Sequence, residues 1–113
     1  MFNRTPQVDV GEAQELLDSG ATMVDVRRAD EWDAGHSPDA VHIPLDQLPD
    51  RHDELAGGKQ VVMICRSGSR SARATQWLRH HGYDAVNLDG GMQAWARAGS
   101  AVVRDDGSAG HVA

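Results

Sequence analysis

The stretch Val61–Leu78, VVMICRSGSRSARATQWL, limits the fold more than any other feature of this chain. Its first four residues, Val61–Ile64, are all apolar, which is typical of a central parallel strand that is covered on both faces. A cysteine and a short Gly/Ser loop follow. The segment Ser69–His81 then carries apolar residues at helical spacing and ends at Gly82. A strand that turns directly into a helix indicates an α/β architecture.

Short apolar runs alternate with helical stretches along the rest of the chain. The further predicted strands are Met23–Val26, Val41–Ile43 and Ala85–Leu88. The further predicted helices are one that begins at a capping box formed by Asp9 and Glu12, one over Ala29–Ala34, and a last one around Met92–Ala96. We therefore expect a small, open, mainly parallel sheet of about five strands with helices on both faces.

The length of 113 residues is enough for one compact domain. We expect that domain to cover residues 1–100. The end of the chain, RDDGSAGHVA, is polar and rich in glycine. It predicts a mobile tail over residues 101–113.

Charge and cysteine content narrow the classes of function. The formal net charge is −6, which disfavours nucleic acid and anionic membranes as partners. No run is long and apolar enough for a membrane span or a signal peptide, and the single cysteine fits a reducing cytoplasm. Arg66, Arg70 and Arg73 nevertheless cluster after the cysteine. A cationic site in an acidic protein suggests a small anionic ligand.

Cys65 lies where the predicted strand ends, which is the edge at which open α/β sheets bind ligands. The thiolate is the nucleophilic form, and a pKa about 1.5 units below normal would need roughly 2 kcal/mol of extra stabilisation. Loop N–H groups, the N-terminus of the helix and nearby arginines can supply it together. An inert core thiol is the alternative, but a polar loop with two arginines is a poor place to bury one. We predict Cys65 as the catalytic nucleophile. The predicted substrate-binding residues are Arg66, Ser67, Gly68, Ser69, Arg70 and Ser71.

Three ordered motifs resemble those of the rhodanese family, and the resemblance runs from about Val8 to Gly99. The loop Cys65–Arg70 is similar to the family's six-residue active-site loop. The first signature corresponds to Asp25-Val26-Arg27, Glu31-Trp32 and Gly35-His36 leading to Ile43-Pro44, and the last to Leu88-Asp89-Gly90-Gly91-Met92 with Trp95.

The resemblance implies a sulfurtransferase that works without a cofactor. Cys65 would accept a sulfane sulfur from a small anionic donor such as thiosulfate. The persulfide would pass this sulfur to cyanide or a thiol, including thioredoxin or another sulfur-relay protein. Asp25 and Arg27 would support the loop. A sulfur-carrier or regulatory interaction module with little turnover is the alternative.

Two other functions are disfavoured. Related phosphatases and arsenate reductases place an arginine six positions after the cysteine, where this chain has Ser71. The arginine comes one position early, at Arg70, so the loop is shorter than one built for a tetrahedral oxyanion. The six histidines show no spacing typical of zinc ligands, and we expect no metal site.

Overall fold

The protein, described by a computed structural model over residues 5–55 and 57–113, is built on one five-stranded parallel sheet. The strands are β1 (Gln7–Val8), β2 (Thr22–Asp25), β3 (Ala40–His42), β4 (Val61–Ile64) and β5 (Ala85–Leu88). Their order across the sheet is β1-β5-β4-β2-β3, and every neighbouring pair is parallel. The predicted fold class is confirmed.

Helices connect the strands. They are α1 (Val10–Asp18), α2 (Ala29–Ala34), α3 (Leu48–Arg51), α4 (Ser69–His80) and α5 (Gly91–Arg97), with 3-10 turns at Leu45–Gln47 and His52–Leu55. The predicted capping box at α1 is present: the Glu12 amide donates to Asp9 Oδ1 at 2.8 Å, and the Asp9 amide donates to Glu12 Oε1 at 3.1 Å. It fixes where this helix begins.

The apolar core is divided by the sheet into two clusters. On one face Val61 and Met63 of β4 pack with side chains of α3 and α4, such as Leu48 and Leu78. On the other face Val62 and Ile64 pack with residues of α1 and α5, including Ala13, Met92 and Trp95. All four residues of β4 are buried, as expected of a central parallel strand.

Residues 101–113, for which the composition predicted a mobile tail, fold back on the domain. Val103 forms antiparallel bridges with both His36 and Ala109, and the His111 amide donates to the Ala34 carbonyl at 3.0 Å. Val102 and Val112 pack against the cluster that contains Trp95. Residues 101–113 are held on the domain because Val102 and Val112 are apolar. The composition did not indicate this, since most of the other residues in the segment are polar or glycine.

Gly35 allows this close approach. A Cβ atom at Gly35 would lie 2.5 Å from the carbonyl oxygen of His111. Beside it, Trp32 stacks on His36 with ring centroids 3.5 Å apart, and both rings have a nitrogen within hydrogen-bond distance of Asp105 Oδ1. The first-signature motif therefore contacts the end of the chain.

Over the described ranges, no helix combines the length and apolar character that a membrane span requires. Within the same ranges, no group of three or more histidine, cysteine, aspartate or glutamate residues is arranged to hold a metal ion.

Candidate active site

Cys65 occupies the carboxyl edge of the sheet. It follows the last residue of β4, Ile64, which pairs in register with Asp25 at the end of β2. The loop after Cys65 leads within four residues to Ser69, where α4 begins. Strand, cysteine, loop and helix therefore follow one another as predicted, and the N-terminus of α4 lies behind the thiol.

The Cys65 sulfur receives hydrogen bonds from its own loop. The Gly68 amide donates to Sγ at 3.1 Å. The Ser71 hydroxyl lies 3.3 Å from Sγ and 3.3 Å from the Gly68 carbonyl oxygen, so its single proton is shared between these two acceptors. Burial by itself raises the pKa of the Cys65 thiol. The Ser71 hydroxyl, together with the amides of Ser71, Gly68 and Ser67, outweighs burial, so the pKa of Cys65 lies below its ordinary value. The arrangement favours a thiolate.

Cys65 is more deeply buried than the sequence suggested. Its exposed fraction is 0%, and it contacts the same apolar cluster as Val24 and Val26. The expectation that this was a poor place to bury a thiol was wrong. The sulfur is nevertheless hydrogen-bonded, because the loop folds over it and turns N–H groups inward.

The motif at the start of α5 holds the same loop by its backbone. The Met92 amide donates to the Cys65 carbonyl at 2.8 Å, and the Gln93 amide donates to the Arg66 carbonyl at 3.1 Å. A Cβ atom at Gly91 would lie 2.4 Å from the Cys65 carbonyl oxygen. The glycine is needed because the two backbones touch.

The predicted binding residues of the loop divide into inner and outer positions. Gly68 and Ser71 are buried and contact Sγ, whereas Arg66, Ser67 and Ser69 are exposed at the rim. The first two shape the thiolate environment. The other three face solvent.

The arginines differ in what they already bind. Arg70 forms a bidentate ion pair with Glu31, with NH1–Oε1 at 2.7 Å and NH2–Oε2 at 2.8 Å. Arg66 is exposed, and its Nε donates to the Ala113 carbonyl at 2.9 Å. Arg73 lines a separate small cavity beside Trp77. The sequence did not identify the Glu31–Arg70 pair, which joins α2 to the loop across 39 positions of sequence.

The Glu31–Arg70 pair predicts a pH-dependent stability. The hydrogen bonds from Arg70 hold the pKa of the buried Glu31 carboxyl at about 2, below the ordinary value of 4.5. The ionised pair therefore stabilises the folded protein fully above pH 4.5. As the pH falls towards 2, the free energy of unfolding decreases by about 1 to 3 kcal/mol because this stabilisation is lost. The Glu31→Gln variant should lack this loss in urea unfolding measured between pH 6 and pH 2. Parallel curves for the two proteins would contradict the assignment.

Asp25 and Arg27 are both fully buried and bind each other. Arg27 NH2 donates to Asp25 Oδ2 at 2.8 Å, Arg27 Nε lies 3.0 Å from both carboxylate oxygens, and NH2 also donates to the Gly35 carbonyl at 2.8 Å. Their side-chain hydrogen bonds thus go to one another and to Gly35 rather than to the loop. Support of the loop by this pair stays a prediction.

Asn87 contacts the loop and was not singled out from the sequence. It lies within β5, is 2% exposed, and its Nδ2 donates to the Gly68 carbonyl at 3.1 Å. The available signal was an amide side chain within an otherwise apolar strand.

Comparisons with known proteins agree with this geometry. The rhodanese-like domain family matches residues 9–98. A sulfurtransferase of Allochromatium vinosum is 40% identical over 97 residues, which are 84% of this chain and 91% of that protein.

Two solved structures have the same fold. One is a rhodanese-related protein from Thermoplasma volcanium, with a TM-score of 0.80 and 30% identity over 87% of this chain and 97% of that one. The other is a thiosulfate sulfurtransferase from Pseudomonas aeruginosa, with a TM-score of 0.81 and 29% identity over 96% of this chain and 22% of that longer one. Together with the curated relative, they support sulfurtransferase activity in general terms. From the loop geometry, the parallel sheet and these matches, the chain belongs to the rhodanese-like family.

Proposed function

We propose that the protein transfers sulfane sulfur from a small anionic donor such as thiosulfate to a thiophilic acceptor through a persulfide on Cys65. The observation that supports this most directly is the pair of hydrogen bonds that Cys65 Sγ accepts from Gly68 and Ser71. They favour the thiolate, which is the form that attacks sulfur.

The first half-reaction forms the persulfide. The Cys65 thiolate attacks the outer sulfur of thiosulfate, a new S–S bond forms at Sγ, and sulfite leaves with the electron pair of the old S–S bond. The inward-pointing amides of Ser67, Gly68 and Ser71 favour negative charge at this position. Arg66, exposed at the rim, is the cation placed to meet the donor, since Arg70 is already paired with Glu31.

The second half-reaction regenerates the thiolate. Cyanide or an acceptor thiolate attacks the outer sulfur of the persulfide and leaves as thiocyanate or as a new persulfide, and the electron pair of the broken bond returns to Sγ. A groove of about 700 Å³ opens beside Arg70, with Val26, Pro44 and Leu45 among its lining residues.

Thiosulfate treatment is expected to add the mass of one sulfur atom to the protein. Cyanide or dithiothreitol should remove it, and the Cys65→Ser variant should not gain it, because it has no thiol. Intact-protein mass spectrometry checks this result. A wild-type protein that stays unmodified at saturating thiosulfate would contradict the proposal.

A matrix of assays identifies which donor and which acceptor the protein uses. Thiosulfate and mercaptopyruvate are tested as donors against cyanide, glutathione and thioredoxin as acceptors. Slow turnover in every small-molecule combination, together with rapid exchange with a protein persulfide, would favour the sulfur-carrier alternative. Turnover of an aryl phosphate would contradict the assignment based on loop length.

A further inference from the structure

Asn87 is a buried amide in a strand where an apolar side chain would be expected. Its neighbours in β5, Ala85, Val86 and Leu88, are all buried apolar residues, and the side chain of Asn87 is turned towards the loop that carries Cys65. The persulfide chemistry proposed above assigns no role to this side chain.

The contacts of Asn87 fix the orientation of its amide. Nδ2 donates to the Gly68 carbonyl at 3.1 Å and to Gln7 Oε1 at 2.9 Å. The Gly68 carbonyl can only accept, so the NH2 group must face it. The other amide atom, Oδ1, is buried and has no hydrogen-bond partner in the part of the chain that the structure describes.

Gly68 is the residue whose conformation decides where the loop amide points. Its φ is +109°, and its N–H donates to Cys65 Sγ at 3.1 Å. Glycine has more backbone freedom than any other residue, so contacts with its surroundings have to hold it in one conformation. The Gly68 carbonyl, on the other side of its Cα atom, accepts from the Ala72 amide of α4 at 3.0 Å. Asn87 adds a contact to the same oxygen from a rigid strand, so that the carbonyl is held from two elements.

We propose that Asn87 is a positioning residue that holds Gly68 so that its N–H group points at the sulfur of Cys65. The inference rests on the proposed role of Cys65 as the sulfur carrier. A purely structural role explains the residue less well, because a buried amide oxygen without a partner is unfavourable and valine would suit a buried strand better.

The Asn87→Val variant separates positioning from stability. Its urea unfolding midpoint should equal or exceed that of the wild type, because the unpartnered amide oxygen is removed. The pKa of Cys65 should rise, so that at a pH below both pKa values the thiolate fraction falls about threefold to tenfold. The pKa is measured from thiolate absorbance at about 240 nm, with the Cys65→Ser form of each protein subtracted.

Two further variants complete the experiment. Gln7→Ala removes the other partner of Asn87 and leaves the contact with Gly68, so the pKa of Cys65 should not change. Asn87→Asp keeps the size of the side chain but replaces the donor with an acceptor, so the pKa should rise at least as much as in Asn87→Val.

An unchanged Cys65 pKa in Asn87→Val would overturn the inference, whether or not stability is lost, because the charge of the Asn87→Asp carboxylate raises the pKa by itself. The thiolate titration requires no sulfur transfer. If the wild type forms no persulfide while Asn87→Val still shifts the pKa, the proposed function fails and the positioning role stands.

Discussion

Replacing Gly91 with alanine is expected to destabilise the protein by about 3 kcal/mol or more and to abolish sulfur transfer. The added Cβ atom would lie 2.4 Å from the carbonyl oxygen of Cys65 and 2.7 Å from that of Arg66. Both contacts are with backbone, so no side chain can rotate away. Either α5 or the loop must move, and the hydrogen bond from the Met92 amide to the Cys65 carbonyl at 2.8 Å would be disrupted.

Gly99→Ala is the matched control for this variant. Gly91 and Gly99 both have a positive φ, +55° and +82°, but a Cβ atom at Gly99 would meet no other atom within 4 Å. Gly99→Ala should lower the free energy of unfolding only by the backbone strain, about 1 kcal/mol, and should leave sulfur transfer unchanged. Urea unfolding and persulfide formation are measured for both variants. Equal losses of stability would show that contact between α5 and the loop is not the reason for the glycine.

The main elements of the fold could be predicted because local pattern and burial agree in this chain. The strand Val61–Ile64 was found from its continuous apolar run. The helix, predicted over Ser69–His81 from its apolar spacing, covers Ser69–His80. Other strand limits differ by about one residue, as in Thr22–Asp25, which was predicted at Met23–Val26. The strand Gln7–Val8 was not found, because two residues are too short to show a period. Its pairing with Asn87 and Leu88 depends on tertiary contact.

The site was predictable as far as it is continuous in sequence. Cys65 and its loop form one segment, so the order of strand, thiol and glycine turn could be inferred directly. The ion pair of Glu31 with Arg70 and the contact of Asn87 with Gly68 join distant segments. No local pattern indicates such pairs. The packing of Val102 and Val112 was missed for the same reason, since each is a single apolar residue in a polar context.

Removing one member of the Asp25–Arg27 pair should also greatly reduce the free energy of unfolding. Both side chains are 0% exposed, so Asp25→Ala would leave the Arg27 guanidinium buried without its counter-charge. The expected loss is about 3 to 5 kcal/mol in the free energy of unfolding. The double variant Asp25→Ala/Arg27→Met removes both charges and should recover much of this loss, because no uncompensated charge remains buried.

The exposed pair Arg28–Asp30 provides the comparison, since its side chains are 69% and 72% exposed. Asp30→Ala should change the urea midpoint far less than Asp25→Ala, because water screens both charges. If the loss in free energy of unfolding of the double variant equalled the sum of the losses of Asp25→Ala and Arg27→Met, Asp25 and Arg27 would not be coupled. The recovered double variant also tests support of the loop. If the pair orients the loop as the family resemblance implies, this folded protein should form the Cys65 persulfide more slowly than the wild type.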